Sequence, residues 1–456
     1  KPTVPAILNN LVGPLATACQ LSVLGRESTL LLATYAACAA ASNFVLNVGN
    51  FSVSVTMSRV GHALGARQWS ALGASVRTAL VVSTSFGILA AASLWCFRDG
   101  VLAVLFPPDS AEERWLAATY WPLMLARLPP MLLFRASLAT LVGYQRMALA
   151  STLASALAVA DAVAFFLVIR VRHLGLVWAG AVALCNCVSA ASIATLATLV
   201  LRPLGAPENV NLCRGNVLTP DAPAGTSLFD TFLDSLDVFV RSLCLHGSML
   251  ALVPAVSRLG VAALAAHAIT LELWMATSNI VDGFADVAGM MGSHLLGAGL
   301  FSQMRALTKA AVVASVSTGA AILIILAIYR DFIIAAFTSD AAATTILHTV
   351  WPLLCWMQPI NATIFAFDGL YTATRSWRYV RNVMLVGVTV VFAPALAAAI
   401  WYPPCVSVAC GLLAVWSAKA SLNVWRLVCA CYRIRAQLWP TWRAADAIAR
   451  VKPIQL

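Results

Sequence analysis

Apolar residues occur along this chain in twelve long runs, separated by short polar or Pro/Gly-rich breaks. A helix of about 20 apolar residues crosses the hydrocarbon core of a membrane, which is about 30 Å thick. Each run therefore predicts a transmembrane helix. The runs lie near 5–24, 29–58, 72–97, 115–140, 148–169, 174–201, 228–256, 260–295, 306–329, 343–372, 379–400 and 405–430.

The first six runs and the last six resemble each other in sequence. Three motifs recur in the same order at offsets of 230–232 residues, and Pro129 then falls on Pro359. Because six is an even number, both halves enter the membrane from the same side, which gives a parallel repeat about an axis along the membrane normal. We predict an all-α membrane protein of about 12 transmembrane helices in two six-helix lobes related by a parallel pseudo-two-fold repeat. The motif pairs are GHALGARQWS (61–70) with SHLLGAGLFS (293–302), LFPPDSA (105–111) with AFTSDAA (336–342), and YWPLML (120–125) with VWPLLC (350–355).

A polar segment between the sixth and seventh runs marks the predicted lobe boundary, since Pro203 and Pro207 interrupt helices there. Basic residues such as Arg375, Arg378 and Arg381 gather in the loops on the side that holds both termini. The positive-inside bias places that side in the cytoplasm, whether the membrane is the plasma membrane or that of an organelle. The predicted domains are an N-lobe over 1–201, a cytoplasmic linker over 202–227, a C-lobe over 228–430 and a basic cytoplasmic tail over 431–456.

Composition supports a membrane protein and excludes an ordinary soluble enzyme. The 456 residues are 61% hydrophobic and only 10% charged, whereas soluble domains carry roughly 25% charged residues. The net charge of +11 fits basic membrane loops better than nucleic-acid binding. The 12 cysteines lack zinc-type spacing, and no phosphate-binding GxxxxGK[ST] motif occurs. We therefore expect no catalytic residues, no cofactor and no resident metal.

Charged and amide side chains nevertheless occur inside the predicted spans, where they mark a binding pathway more often than a lipid-facing surface. Several recur at helical spacing, so that each span presents them on one face. Carboxylates from three helices of the second half predict a proton or sodium site, although an internal Asp237–Arg241 pair that fixes helix packing is an alternative. The coupling candidates are Asp368, Asp282, Asp234, Asp237, Glu272 and Asp286, and the candidates for the substrate cleft are Gln20, Asn279, Gln358, Asn361, Arg127 and Asp161.

Two segments of the second half resemble the multidrug and toxic compound extrusion (MATE) family, and within it the DinF-like branch. Residues 260–299 carry AAHAI, ELW, DGFA and LLGAG in the order of that branch's eighth helix, and residues 366–384 carry its DG and RYxRN pattern. The resemblance implies two six-helix lobes around a V-shaped cleft. It also implies efflux of organic compounds, often cationic or amphipathic, driven by inward flow of protons or sodium.

The chain departs from the family pattern at the positions that carry protons in its first half. The acid of the family's first helix is replaced by Gln20, and only Asp161 remains of an Asn…Asp pattern in the fifth helix. By contrast, the eighth helix has Glu272 where Gln is usual and gains Asp286. The resemblance thus implies that acidity has moved to the C-lobe.

We predict a secondary antiporter that works by alternating access on a small-molecule substrate. It is expected to act as a monomer in a lipid bilayer, without a nucleic-acid partner. One alternative is a flippase for lipids or lipid-linked precursors, which would need a strongly cationic cleft; Arg127 and Arg135 supply some of that charge. The other is a MATE-like protein that has lost ion coupling, as the absence of the first-helix acid suggests.

Overall fold

The computed structural model describes residues 3–106, 111–201, 203, 228–338, 340–401 and 407–451. These residues form helices joined by short turns, with no strand among them. The predicted linker 202–227, apart from Pro203, and the loop that holds Asp109 lie outside the described residues.

Two compact units divide the chain, Lys1–Phe239 and Val240–Leu456. The division falls inside the seventh predicted span, so the first turns of that helix belong to the first unit. The lobe boundaries predicted from the sequence stay a prediction. The helices of the first unit are α1 (Thr3–Glu27), α2 (Thr29–Val48), α3 (Phe51–Gly65), α4 (Trp69–Cys96), α5 (Arg98–Leu105), α6 (Ala111–Gly143), α7 (Met147–Phe165) and α8 (Gly175–Val200).

Both units contain a helix of 28 residues, a helix of eight and a helix of 33 in succession, and the second unit ends in a helical tail. Helix α9 (Leu228–Leu250) begins in the first unit and ends in the second. Short π-helical stretches follow α7, α15 and α17, at Phe166–Val171, Gly387–Phe392 and Arg433–Leu438. The remaining helices are α10 (Leu252–Ser257), α11 (Val261–Gly297), α12 (Phe301–Ile328), α13 (Arg330–Phe337), α14 (Ala341–Ala373), α15 (Trp377–Val386), α16 (Ala393–Trp401), α17 (Val408–Tyr432) and α18 (Trp439–Val451).

The predicted all-α membrane fold is confirmed. Ten helical segments of the described chain are long and apolar enough to cross a membrane. The other two predicted spans are α1 and α11, which are also helical. The apolar stretch of α1 is short, Asn10–Leu24, and α11 carries Glu272, Asp282 and Asp286.

The sequence repeat reappears as a repeat of contacts inside each unit. In the first unit, Trp121 donates a hydrogen bond to the carbonyl of Leu94 at 3.4 Å. In the second, Trp351 donates to the carbonyl of Leu326 at 2.8 Å. The first pair joins α6 to α4 and the second joins α14 to α12, and both tryptophans are buried in the core of their unit.

Glycines at repeat-related positions let these same helices approach closely. A Cβ on Gly87 would lie 2.7 Å from Cα of Pro129, and a Cβ on Gly319 would lie 2.6 Å from Cα of Pro359. Contacts this short do not occur between real Cβ and backbone atoms, so only glycine fits either position. The two units therefore share a packing rule as well as a helix order.

Gly319→Ala is expected to destabilise the second unit by about 1–3 kcal/mol, the usual cost of overpacking a core. The added methyl group would meet the backbone of Pro359 and Gln358, which cannot turn aside as a side chain can. The matched control is Gly247→Ala in α9, where an added Cβ has nothing within 4 Å. Unfolding of the purified protein in detergent measures both, and equal stability of the two variants would contradict the prediction.

Candidate functional site

Asp368 lies between two arginines inside the second unit. One of its oxygens accepts hydrogen bonds from Arg241 of α9 at 2.6 Å and from Arg426 of α17 at 2.7 Å. All three side chains are largely buried, with 8–19% of their surface exposed. The carboxylate of α14 thus joins three helices through charge-assisted hydrogen bonds, which are about twice as strong as neutral ones.

Close packing of α11 on α14 brings two more carboxylates to this point. A Cβ on Gly369 would lie 2.3 Å from the carbonyl oxygen of Ala285, so the two backbones meet at the residue after Asp368. Asp282 and Asp286 lie on α11 on either side of that contact. Asp282 interacts electrostatically with Asp286, Asp368 and Arg241. We refer to Asp282, Asp286, Asp368, Arg241 and Arg426 as the acidic cluster.

A chain of buried amides and hydroxyls lies next to the acidic cluster. Asn361 of α14 donates to Ser278 of α11 at 2.9 Å and accepts from Asn423 of α17 at 3.3 Å. All three residues are buried. The polar face of α17 therefore extends from Arg426 through Asn423, which lies one turn away.

The next polar residue on this face is Lys419, whose side chain is 1% exposed. Its Nζ donates to Oγ of Ser248 in α9 at 3.2 Å. Sequence reasoning missed Lys419, Asn423 and Arg426 as site residues. Their spacing of four and three residues within an apolar run is the signal that could have found them, since it places them on one helical face.

The structure does not bring every candidate of the second half to the acidic cluster. Glu272 is exposed on α11 and lies about 15 Å from Asp282 along the helix axis. Asn279 is half-buried, and its neighbour Ser278 makes the bond to α14 instead. Gln358 is buried and donates to the carbonyl of Leu354 within its own helix. Of these three, none contributes a described contact to the cluster.

Helix α9 presents two further candidates to the first unit. Asp234 accepts a hydrogen bond from the buried Arg59 of α3 at 2.7 Å. Asp237 is buried three residues further along. Arg241, the other member of the predicted Asp237–Arg241 pair, donates to Asp368 of α14. The pair itself stays a prediction.

The first unit contains a smaller charged site with balanced charge. Arg127 of α6 forms an ion pair with Asp161 of α7, and Asn186 of α8 donates to the other carboxylate oxygen at 3.1 Å. Asp161 is buried and Arg127 is partly exposed. One carboxylate with one guanidinium leaves no net charge at this site.

Gln20 is hydrogen-bonded to a second helix of the first unit. Its Oε1 accepts a hydrogen bond of 2.7 Å from the hydroxyl of Tyr35, and both side chains are buried. The Tyr35 ring packs against Phe165 with ring centroids 5.2 Å apart and against Tyr120 at 6.3 Å. Gln20 is therefore part of a cluster that also contains the aromatic rings of Tyr35, Tyr120 and Phe165.

Charges outside the spans form local pairs. At the end of α1, a hydrogen bond from Arg170 lowers the pKa of Glu27. At the start of α13, a hydrogen bond from Arg330 lowers the pKa of Asp331. Both carboxylates are thus held in the ionised form by a neighbouring arginine.

Comparison with known families identifies this arrangement of helices. The MatE family model matches residues 5–167 and 238–396, which is most of both units. The chain belongs to the MATE family. Two Arabidopsis thaliana relatives are Protein DETOXIFICATION 44, chloroplastic, 24% identical over 370 residues, and Protein DETOXIFICATION 45, chloroplastic, 26% identical over 207 residues. These matches cover 81% and 45% of this chain, but only 66% and 35% of the relatives, so the chain spans less than two thirds of their length.

Solved MATE structures share the fold of this chain at low sequence identity. The eukaryotic MATE transporter AtDTX14 has a TM-score of 0.81 at 15% identity, over 97% of this chain and 96% of that one. The Vibrio cholerae MATE transporter VcmN in its bent form has a TM-score of 0.79 at 15% identity, over 97% and 95%. A MOP superfamily transporter from Pyrococcus furiosus has a TM-score of 0.80 at 13% identity, over 97% and 95%, and is described as having a binding pocket of reverse polarity that suggests a different function. These likenesses show the fold of this chain.

Proposed function

We propose that this MATE-family chain is a secondary active antiporter that exports organic compounds, cationic or amphipathic, in exchange for protons or sodium. The observation that carries the proposal is the acidic cluster. Its five charged side chains lie inside spans of the second unit, where each buried charge costs several kcal/mol of folding free energy unless it is compensated. Such a cluster is retained at that cost where it serves an ion or substrate pathway.

The charge count of the cluster favours a cation as the coupling ion. Asp282 interacts electrostatically with two carboxylates, those of Asp286 and Asp368, and with one guanidinium, that of Arg241. This local excess of negative charge favours the binding of a cation at Asp282. A proton or a sodium ion neutralises the cluster equally well, because carboxylate oxygens bind either.

The DinF-like branch and the membrane orientation belong to the same proposal. The AAHAI, DGFA and RYxRN patterns support the branch. The excess of basic loop residues on one side supports cytoplasmic termini. Protease accessibility of a C-terminal tag in sealed vesicles of known orientation tests the second point, and cleavage from the non-cytoplasmic face would reverse it.

The experiment that tests the antiport function is export from proteoliposomes that contain the purified chain, with ethidium as the probe. We expect faster export under an inward proton or sodium gradient than without a gradient. Export of equal rate under all conditions would support a MATE-like protein that has lost coupling. Movement of a fluorescent phospholipid in place of ethidium would support a flippase.

Gln20 is proposed to line the substrate cleft of the first unit. Its hydrogen-bond partner Tyr35 provides a control variant for the test. Gln20→Ala removes the amide, whereas Tyr35→Phe removes only the hydrogen bond that joins the two residues. If Gln20 contacts substrate, Gln20→Ala raises the KM for ethidium several-fold, while Tyr35→Phe leaves it near the wild-type value. An interhelical hydrogen bond in a membrane is worth about 1 kcal/mol, so a purely structural Gln20 would give two variants with the same loss of stability and unchanged KM.

A further inference from the structure

Helix α17 carries a lysine buried near the middle of a membrane span. Lys419 lies about 16 Å along the axis from the first residue of the helix, Val408, which is about half the thickness of a hydrocarbon core. Its side chain is 1% exposed. The acidic cluster lies about two turns further along the same helix, at Arg426.

The hydrogen bonds of Lys419 fit a neutral amine better than an ammonium ion. Within the described chain, Nζ donates only to Oγ of Ser248, whose own hydroxyl donates to the carbonyl of Leu245 at 2.7 Å. An ammonium group has three N–H donors, and an amine has two and a lone pair. One acceptor therefore leaves two donors of the ammonium form unsatisfied but only one of the amine, and each unsatisfied buried donor is destabilising.

The charged groups around Lys419 do not supply a counter-ion. On its own helix, Arg426 carries a like charge and repels an ammonium group at Lys419. On α9, His246 is the titratable side chain that interacts electrostatically with Lys419, and it adds no negative charge. On α14, Asp368 already accepts from two guanidiniums.

The charged groups of α11 complete the surroundings of Lys419. His267 packs against Trp416, one turn before Lys419, with ring centroids 5.6 Å apart. Asp282 and Asp286 belong to the acidic cluster, and Glu272 is exposed. No described carboxylate is thus hydrogen-bonded to Nζ.

The residue type matters because the chain uses arginine almost everywhere else. Of its 29 basic residues only four are lysines, namely Lys1, Lys309, Lys419 and Lys452. Arginine stays protonated in proteins, whereas a buried lysine exchanges its proton readily. The buried cationic position of α17 at the depth of the membrane centre is therefore occupied by the basic residue that can lose its charge.

We propose that Lys419 is a second proton-binding residue of the antiport cycle, in addition to the carboxylates of the acidic cluster. A proton from water on one side binds the lone pair of Nζ and gives an ammonium ion. The same proton leaves Nζ for water on the other side, so that the residue returns to its starting state. This inference rests on the proposed antiport function, and its first test does not require transport.

The first test observes the side-chain nitrogens of lysine directly. The protein is labelled with ¹⁵N-lysine and placed in lipid nanodiscs, and its few lysine signals are recorded from about pH 6 to about pH 9, below the ordinary titration of exposed lysines near pH 10.4. We expect one signal to shift reversibly across this range while the others stay constant. That signal should be absent from Lys419→Met and present in Lys309→Met, which alters an exposed lysine of α12. A Lys419 signal that stays constant over the whole range overturns the proposal.

The second test asks whether this proton takes part in transport. Lys419→Met keeps the length of the side chain without its charge, and Lys419→Arg keeps a permanent charge. In both variants the stimulation of ethidium export by a proton gradient is expected to fall about 10-fold, while exchange of ethidium without a gradient continues. Lys309→Met is the control and should match the wild type. If Lys419→Arg shows the same stimulation as the wild type, only a fixed charge is needed at this position and the proposal is overturned. If Lys419 titrates but the wild-type protein shows no gradient-driven export, the proposed antiport function alone is overturned.

Discussion

Asp282→Asn is expected to abolish the stimulation of export by a proton or sodium gradient, a loss of at least about 10-fold. The wild-type cluster has one carboxylate more than it has guanidiniums, and Asp282 is a carboxylate of α11 that interacts electrostatically with both acids of the cluster. The asparagine side chain is neutral, so it cannot bind a proton at this position and offers sodium only a weak oxygen ligand. Initial rates of ethidium export from proteoliposomes, at two proton gradients and two sodium gradients, measure the effect.

Asp99→Asn provides the matched control, because it makes the same chemical change at an exposed residue of α5 that pairs with Arg98. It should keep the wild-type response to both gradients. Export without a gradient should continue in Asp282→Asn, since the change removes a charge and little volume. A normal gradient response in Asp282→Asn would exclude this carboxylate from coupling and transfer the role to Asp286.

Asp368→Asn is expected to reduce stability by about 3 kcal/mol, at the lower end of the range for removing one partner of a buried ion pair. The change leaves the guanidiniums of Arg241 and Arg426 without the carboxylate that accepts from both. The two guanidiniums also repel each other once the carboxylate that joins them is lost. Thermal unfolding of the variant and of the wild type in detergent, without ligand, measures the loss of stability. Size-exclusion chromatography of the same samples accompanies it.

A double variant separates the repulsion from the lost hydrogen bonds. Adding Arg426→Gln to Asp368→Asn removes one of the two guanidiniums that repel each other, so the double variant should be more stable than Asp368→Asn alone. Such a recovery is the coupling that a double-mutant cycle measures between residues in contact. Strictly additive losses would show that the two side chains do not interact, contrary to their distance of 2.7 Å.

Periodicity and length were sufficient to predict the twelve helical spans, because each apolar run has to satisfy its backbone hydrogen bonds internally in a membrane. The motif repeat also corresponds to repeated contacts in the structure. Trp121 and Trp351 donate equivalent hydrogen bonds, and equivalent glycines pack against Pro129 and Pro359. These features depend on local sequence and on one packing rule, both of which are visible in the chain.

Pairings between helices could not be predicted in the same way. The sequence placed Asp368 and Arg241 on different helices, but only the packing of α9, α14 and α17 shows that Arg426 is their common neighbour. The role of Tyr35 as the partner of Gln20 was hidden for the same reason, since a single tyrosine in an apolar run has no periodic signal. Lys419, by contrast, belongs to a polar set in the twelfth apolar run, and its spacing of four and three residues to Asn423 and Arg426 makes the shared helical face visible in the sequence.

The contacts of Gly87 on Pro129 and of Gly319 on Pro359 also have a mechanical consequence. Proline has no backbone N–H, so the carbonyl four residues earlier in α6 and in α14 lacks its helical partner. The backbone of each helix is therefore weakened near this proline, where a glycine of α4 or of α12 lies directly against the proline backbone. Bending that keeps this contact deforms few atoms, whereas bending in the opposite direction has to separate two closely packed backbones. Both units thus carry a joint with a preferred direction of bending, at the same place in the repeat.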